Sequence, residues 1–262
     1  MEAINFLIYP FLGCVLLIAI HTYFGIHILE RGVIFLDLSM AQFIALGISI
    51  SFFMGNEASG RYLYSIIFAI IGAAILSLSR HIAQFVNIEA FIGVFYIFSL
   101  AASILVLDRT PHGLEELKAI LNGNIIWVTQ GEVLKMLVLY SCIGLIHFIF
   151  RKKFFALSYE GKGSYLWEFF FFLSFAFVLV SSVSIAGILQ VFSFLVIPAL
   201  IGRLFSKKPF KVLVIAWAVG LAASGFGLIV SYKMDLPTAP LFIAFLSVIF
   251  FVFLTLKAWR TR

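Results

Sequence analysis

The chain has 262 residues, of which 63% are hydrophobic and only 11% charged, and its mean hydropathy is +1.16. Soluble domains carry about 25% charged residues, so this composition excludes an ordinary soluble protein and points to a polytopic membrane protein. The net charge of +6 would suggest nucleic acid in a soluble chain; here its distribution reads as membrane topology, and no nucleic-acid partner is expected.

A crossing helix needs about 20 apolar residues. Reading between polar breaks predicts nine spans, at 5–26, 33–54, 62–80, 89–107, 132–150, 166–186, 188–204, 210–232 and 237–257. The start carries no basic n-region, so the first span is expected to be retained. The weakest boundary lies in SSVSIAGILQVFSFLVIPAL (181–200), which has no charge and breaks only at small residues around Gly187. Two short helices or one broken helix both fit there, so the fold class is an all-α transmembrane bundle of eight to nine spans. Nine spans with the C-terminus inside place Arg31, Arg80, Arg151, Lys152, Lys153, Lys162, Arg203, Lys207, Lys208, Lys211, Lys257, Arg260 and Arg262 inside. Arg61, Arg109, Lys118, Lys135 and Lys233 then fall outside. That asymmetry predicts N-terminus out and C-terminus in.

The chain reads as one transmembrane domain, 1–262, with two longer loops. The outer loop, 108–131, contains GLEELKAIL, whose apolar spacing is helical. The inner loop, 151–168, mixes basic, aromatic and glycine residues.

There is no G-x-x-x-x-G-K-[ST], so no ATP site of the P-loop kind, and no H-E-x-x-H or G-x-S-x-G. Cys14 and Cys142 both fall in apolar spans and read as packing residues. What remains is a set of polar residues in apolar helices: His21, Asp37, Gln42, Glu89, His147, Glu168 and Asp235. A carboxylate at membrane depth costs about 2.5 kcal/mol or more, so Asp37 is expected to face a partner, a cavity or a pathway; the plainer alternative is a headgroup-level or helix-bonded carboxylate. Gln42 follows it by five residues, a net rotation of about 140°, so the two do not share a tight face. Glu89 reads first as an acidic residue favourable to a helix N-terminus, His21 as a packed histidine, His147 and Glu168, close to the inner loops, as interfacial residues, and Asp235 as a cap for the last helix.

Five stretches, in order, carry a resemblance: LERGVIFLDLSMAQFIALG (29–47), EAFIGVFYIFSLAASIL (89–105), GLEELKAILNGNIIWV (113–128), AGILQVFSFLVIPALIGRL (186–204) and GLIVSYKMDLPTAP (227–240). Together they resemble the integral-membrane permeases of bacterial zinc/manganese/iron ABC importers. The resemblance implies a multi-pass protein of the bacterial inner membrane that pairs as a permease dimer, docks on a cytoplasmic ABC ATPase and receives metal from an extracytoplasmic binding protein. By position, Phe155, Ala156, Leu157, Ser158, Tyr159, Glu160 and Gly161 fall in the ATPase-coupling segment, and Glu115, Glu116 and Trp127 where the binding protein would dock. Many such permeases carry a histidine five residues before the glycine of span two; here that position is Gln42, and an amide is a poorer transition-metal ligand than imidazole.

The expectation is therefore a transport subunit, not an enzyme, with no resident cofactor. Its cargo is a divalent metal, zinc first and then manganese or iron. The metal-pathway residues are Asp37 and Glu89, with Gln42 and His21 as weaker ligands. The alternatives are a permease for a metal chelate or other small cargo, or an intramembrane enzyme or receptor that needs no ATPase.

Overall fold

A computed structural model of the protein describes residues 2–56 and 58–260. Arg262, one of the cations expected inside, lies outside the described residues, as does the side chain of Arg260. All regular structure among the described residues is helical: α1 (Glu2–Arg31), α2 (Leu36–Phe53), α3 (Ala58–Ser77), α4 (Ser79–Ile82), α5 (Ile88–Leu107), α6 (Gly113–Asn122), α7 (Gln130–Ile149), α8 (Arg151–Tyr159), α9 (Tyr165–Phe205), α10 (Pro209–Met234) and α11 (Thr238–Arg260). In hydrocarbon a chain must satisfy its backbone polar groups internally, which a helix does within one segment. Eight of these helices are long and apolar enough to cross a membrane.

The sixth of those eight, α9, has 41 residues. At 1.5 Å per residue that is about 60 Å, twice the roughly 30 Å hydrocarbon core. It is interrupted at Gly187, whose φ of 74° and ψ of 162° are not helical. Only glycine adopts that conformation without strain. The spans expected at 166–186 and 188–204 are thus the two halves of this one element. The break frees backbone carbonyls, and the segment after α6 meets one of them: Asn124 N–H donates to the Ile185 carbonyl at 3.1 Å. Gly123, at φ 56°, lies so close to the Ala186–Gly187 peptide that a Cβ there would overlap it.

The chain divides into two compact units. The first comprises Met1–Leu29, Asn122–Gly144 and Ile185–Arg262. Small residues set its packing, as expected where lipid removes the hydrophobic drive between helices. A Cβ on Gly25 of α1 would overlap the Leu195 carbonyl of α9, and one on Gly220 of α10 would lie 2.9 Å from Ile18. Trp217 Nε1 donates to the Ala19 carbonyl at 3.2 Å. Asp235 departs from its expected role. It does not cap α11 but closes α10 in the left-handed conformation, φ 52°, which Asp tolerates because its short side chain bonds locally.

The second unit comprises Glu30–Leu121 and Leu145–Ser184. Here α2 packs against both α3 and α5. Its polar and apolar residues are buried around the whole circumference, from Leu36 to Ser51, as in a helix enclosed by others. Phe43 meets Phe68 of α3 at 5.1 Å and Phe95 of α5 at 4.8 Å between ring centroids. Gly47 lets the α3 backbone approach, since a Cβ there would stand 2.8 Å from the Phe68 ring and 2.9 Å from the Tyr64 carbonyl. Gly47→Leu is expected to destabilise the protein by about 1–3 kcal/mol, read as a lower Tm of the detergent-solubilised protein; an unchanged Tm would mean that α3 is free to move away.

Candidate functional site

Asp37 sits in the first turn of α2. The chain reaches it through a tight corner, in which Gly32 takes φ 70° and Leu36 N–H bonds the Val33 carbonyl at 3.1 Å. The acidic residue suits the positive end of the helix dipole, but little else offsets its burial. Asp37 is 1% exposed, and among the described residues neither carboxylate oxygen has a hydrogen-bond partner. Gln42, one turn deeper, is 2% exposed with Oε1 unpartnered. Unmet buried groups of this kind cost about 1–3 kcal/mol each, more when charged. The two residues differ in helical angle, but the enclosure of α2 by its neighbours buries both.

Glu89 is exposed in the first turn of α5, beside Asn87, whose Oδ1 accepts from Ala90 N–H at 3.1 Å. It has the setting of a helix-start acid. His21 belongs to the first unit, the other three to the second. It is fully buried, with Nδ1 2.8 Å from the Leu17 carbonyl. A carbonyl only accepts, so Nδ1 carries the proton and Nε2 is the ring's lone-pair nitrogen. Tyr140 stands edge-on to it at 6.5 Å. Among the described residues, no group of three or more His, Cys, Asp or Glu is placed to hold a metal ion.

The segment expected inside forms α8 and a short loop. Phe154, Leu157 and Ser158 are buried, while Arg151, Lys152, Lys153, Phe155, Glu160 and Gly161 are exposed. Ala156 and Tyr159 are half-buried between these faces. Phe155 and Tyr159 stack at 4.3 Å, and burial pushes the Tyr159 hydroxyl up to about 12, so it stays a neutral donor. Of the residues expected at the binding-protein side, Glu116 is tied to Arg61 at 3.2 Å, and Glu115 is exposed beside His112. Trp127, in a 3-10 turn (Ile125–Trp127), is 67% exposed with its ring edge-on to Phe6.

Two arrangements arise only on folding. Gln190, in the first turn after the α9 break, is fully buried with neither amide atom paired; its one legible signal was a lone amide in an uncharged run beside a helix break. Glu168 and His147, expected near the interface, are buried and bonded. His147 Nε2 lies 2.7 Å from Ser174 Oγ. Glu168 joins Arg31 and Arg80, and these three line a cavity of about 430 Å³ with Leu36, Ile88 and Ser158. Asp37 and Glu89 are each next in sequence to a residue of that lining.

A family model described as the ABC 3 transport family matches residues 3–257. The chain belongs to the ABC 3 transport family. It is therefore a multi-pass permease of the ABC transporter class. Among curated members, it is 24% identical to a probable metal transport system membrane protein of Chlamydia muridarum, over 89% of this chain and 83% of that one. It is 22% identical to a probable iron transport system membrane protein of Haemophilus influenzae, covering 82% and 80%. Its fold is that of PsaBC from Streptococcus pneumoniae, solved with a Fab, at a TM-score of 0.78 and 19% identity over 96% and 94% of the two chains. A putative metal-chelate type ABC transporter in an inward-facing conformation matches with a TM-score of 0.76 and 17% identity, over 97% and 88%.

Proposed function

We propose that this ABC 3 family member is the permease of an ATP-driven importer for a divalent transition metal, working in the bacterial inner membrane. The observation that carries the reading is Asp37: a carboxylate buried in an enclosed transmembrane helix, with both oxygens unpartnered. Such a group is costly unless a cation periodically offsets it. Gln42 adds a neutral oxygen along the same helix, and His21 an imidazole nitrogen elsewhere in the chain. Glu89, at the exposed start of α5, is the entry or exit carboxylate on this reading. Among the described residues these donors form no three-ligand cage, which suits a cargo that must leave again. Zinc is the first cargo to test, and the relatives named for iron and chelated iron make iron the next and manganese the third. A permease for a metal chelate is the second reading, favoured by the Yersinia pestis relative named for chelated iron transport.

The partners follow from the same reading. A cytoplasmic ABC ATPase binds the exposed face of α8, an extracytoplasmic binding protein docks near Glu115, Glu116 and Trp127, and a second permease copy completes the pathway. ATP is hydrolysed by the partner. The test is uptake of radioactive Zn²⁺, Mn²⁺ and Fe²⁺ by the complex reconstituted in liposomes, with and without ATP. ATP-dependent uptake of one of them is expected; uptake of none, with chelated iron transported instead, would select the second reading. Gln42→His separates ligand roles further. It is expected to tighten zinc uptake, lowering KM, and to slow turnover, because imidazole holds Zn²⁺ better than an amide. Unchanged KM and turnover would place Gln42 outside the path.

A further inference from the structure

The inner end of the second unit is tied together through one carboxylate. Glu168, in the first turn of α9 and 1% exposed, uses both oxygens: Oε2 accepts from Arg31 Nη1 at 2.8 Å, and Oε1 lies 2.5 Å from Arg80 Nε. Each arginine also holds α8. Arg31 Nε donates to Ser158 Oγ at 3.1 Å, and its guanidinium lies 4.2 Å over the Phe171 ring. Arg80 donates to the Leu157 and Gly161 carbonyls, each at 3.1 Å. Those carbonyls belong to the end of α8 and the turn after it, where a helix leaves acceptors unmet. Arg31 is the last residue of α1 and opens the corner that leads, through Gly32, to Leu36 and Asp37. The cluster is not embedded in solid packing, because it lines the cavity of about 430 Å³ that Leu36 also borders.

We propose that Glu168 is the positioning residue that delivers movement of α8 to the corner carrying Asp37. This rests on the reading of α8 as the element that docks on an ATPase. Fixed by two arginines that grip different atoms of α8, the carboxylate makes α8, α4 and the 30–36 corner move together. The bordering cavity supplies the space into which they move. A neutral amide at this place keeps the shape but has no charge and a single acceptor oxygen for two arginines, so one of the two ties is lost and the other weakened, and α8 moves without the corner following.

The test uses the complex with its cognate ATPase, and reads ATP hydrolysis, metal uptake and the distance between spin labels at Lys152 and Ile34 with and without trapped nucleotide. Glu168→Gln is expected to lower uptake per ATP about tenfold while hydrolysis changes less than twofold, and to abolish the nucleotide response of the label at the corner. Arg31→Lys, which keeps the charge but cannot bond Glu168 and Ser158 at once, is expected to uncouple in the same direction and decides the matter should the first variant fail to assemble. Uptake per ATP and label response unchanged in an assembled variant overturn the proposal. So do uptake and hydrolysis falling in equal proportion, which marks a merely structural residue. An unaltered chain that recruits no ATPase overturns the proposed function as well, and an unaltered complex that hydrolyses ATP and shifts its labels but moves no metal overturns the cargo alone.

Discussion

Asp37→Asn is expected to lower ATP-driven metal uptake by about tenfold or more, in the range seen when a metal site loses a supporting group, with expression and ATPase assembly unchanged. The substitution keeps the size and shape of the side chain. It removes the one charge of α2, which apart from the helix dipole has no hydrogen-bond partner among the described residues to offset its burial. The folded protein is expected to gain stability, because an amide is cheaper to bury than a carboxylate. Activity and Tm should therefore move in opposite directions, a pattern that a structural carboxylate does not produce. Uptake at the level of the unaltered protein, measured in the same liposomes, would return Asp37 to a structural role.

Gly25→Leu is expected to abolish folding of the first unit, and Gly25→Ala to cost about 1–3 kcal/mol. The reason lies in the backbone. A Cβ at residue 25 overlaps the Leu195 carbonyl and stands 3.5 Å from Ala199, so relief requires α9 to shift as a whole. Such a shift would also strain the nearby contact of Thr22 Oγ1 with the Phe194 carbonyl. Monodisperse protein yield after detergent extraction reads the first variant and thermal melting the second. Normal yield of Gly25→Leu would mean that α1 and α9 pack differently.

The transmembrane character, the placement of the spans and the break at Gly187 were legible in the sequence, because each depends on neighbours along the chain. Apolarity summed over about 20 residues decides whether a segment crosses, and a glycine in a run of small residues marks where a helix gives way. The GLEELKAIL segment, seen as α6, was legible for the same reason. Asp235 was misassigned because it lies between two helix ends, and composition does not say which one it serves. The candidate site was legible only in part. Asp37 and Gln42 stood out as polar residues in an apolar run, but their shared burial comes from α3 and α5 packing on α2. The bond of Arg31 to Glu168 joins residues 137 apart, and that of Arg31 to Ser158 joins residues 127 apart. Before folding, Glu168 reads as one more charge near a membrane surface. The amino-acid sequence by itself determined that this protein crosses the membrane repeatedly and belongs to a family of transport proteins. Only the tertiary structure decided which buried charges are paired and which, like Asp37, have no hydrogen-bond partner among the described residues, because hydrocarbon penalises any unpaired polar group and the partner that relieves it depends on which helix ends meet.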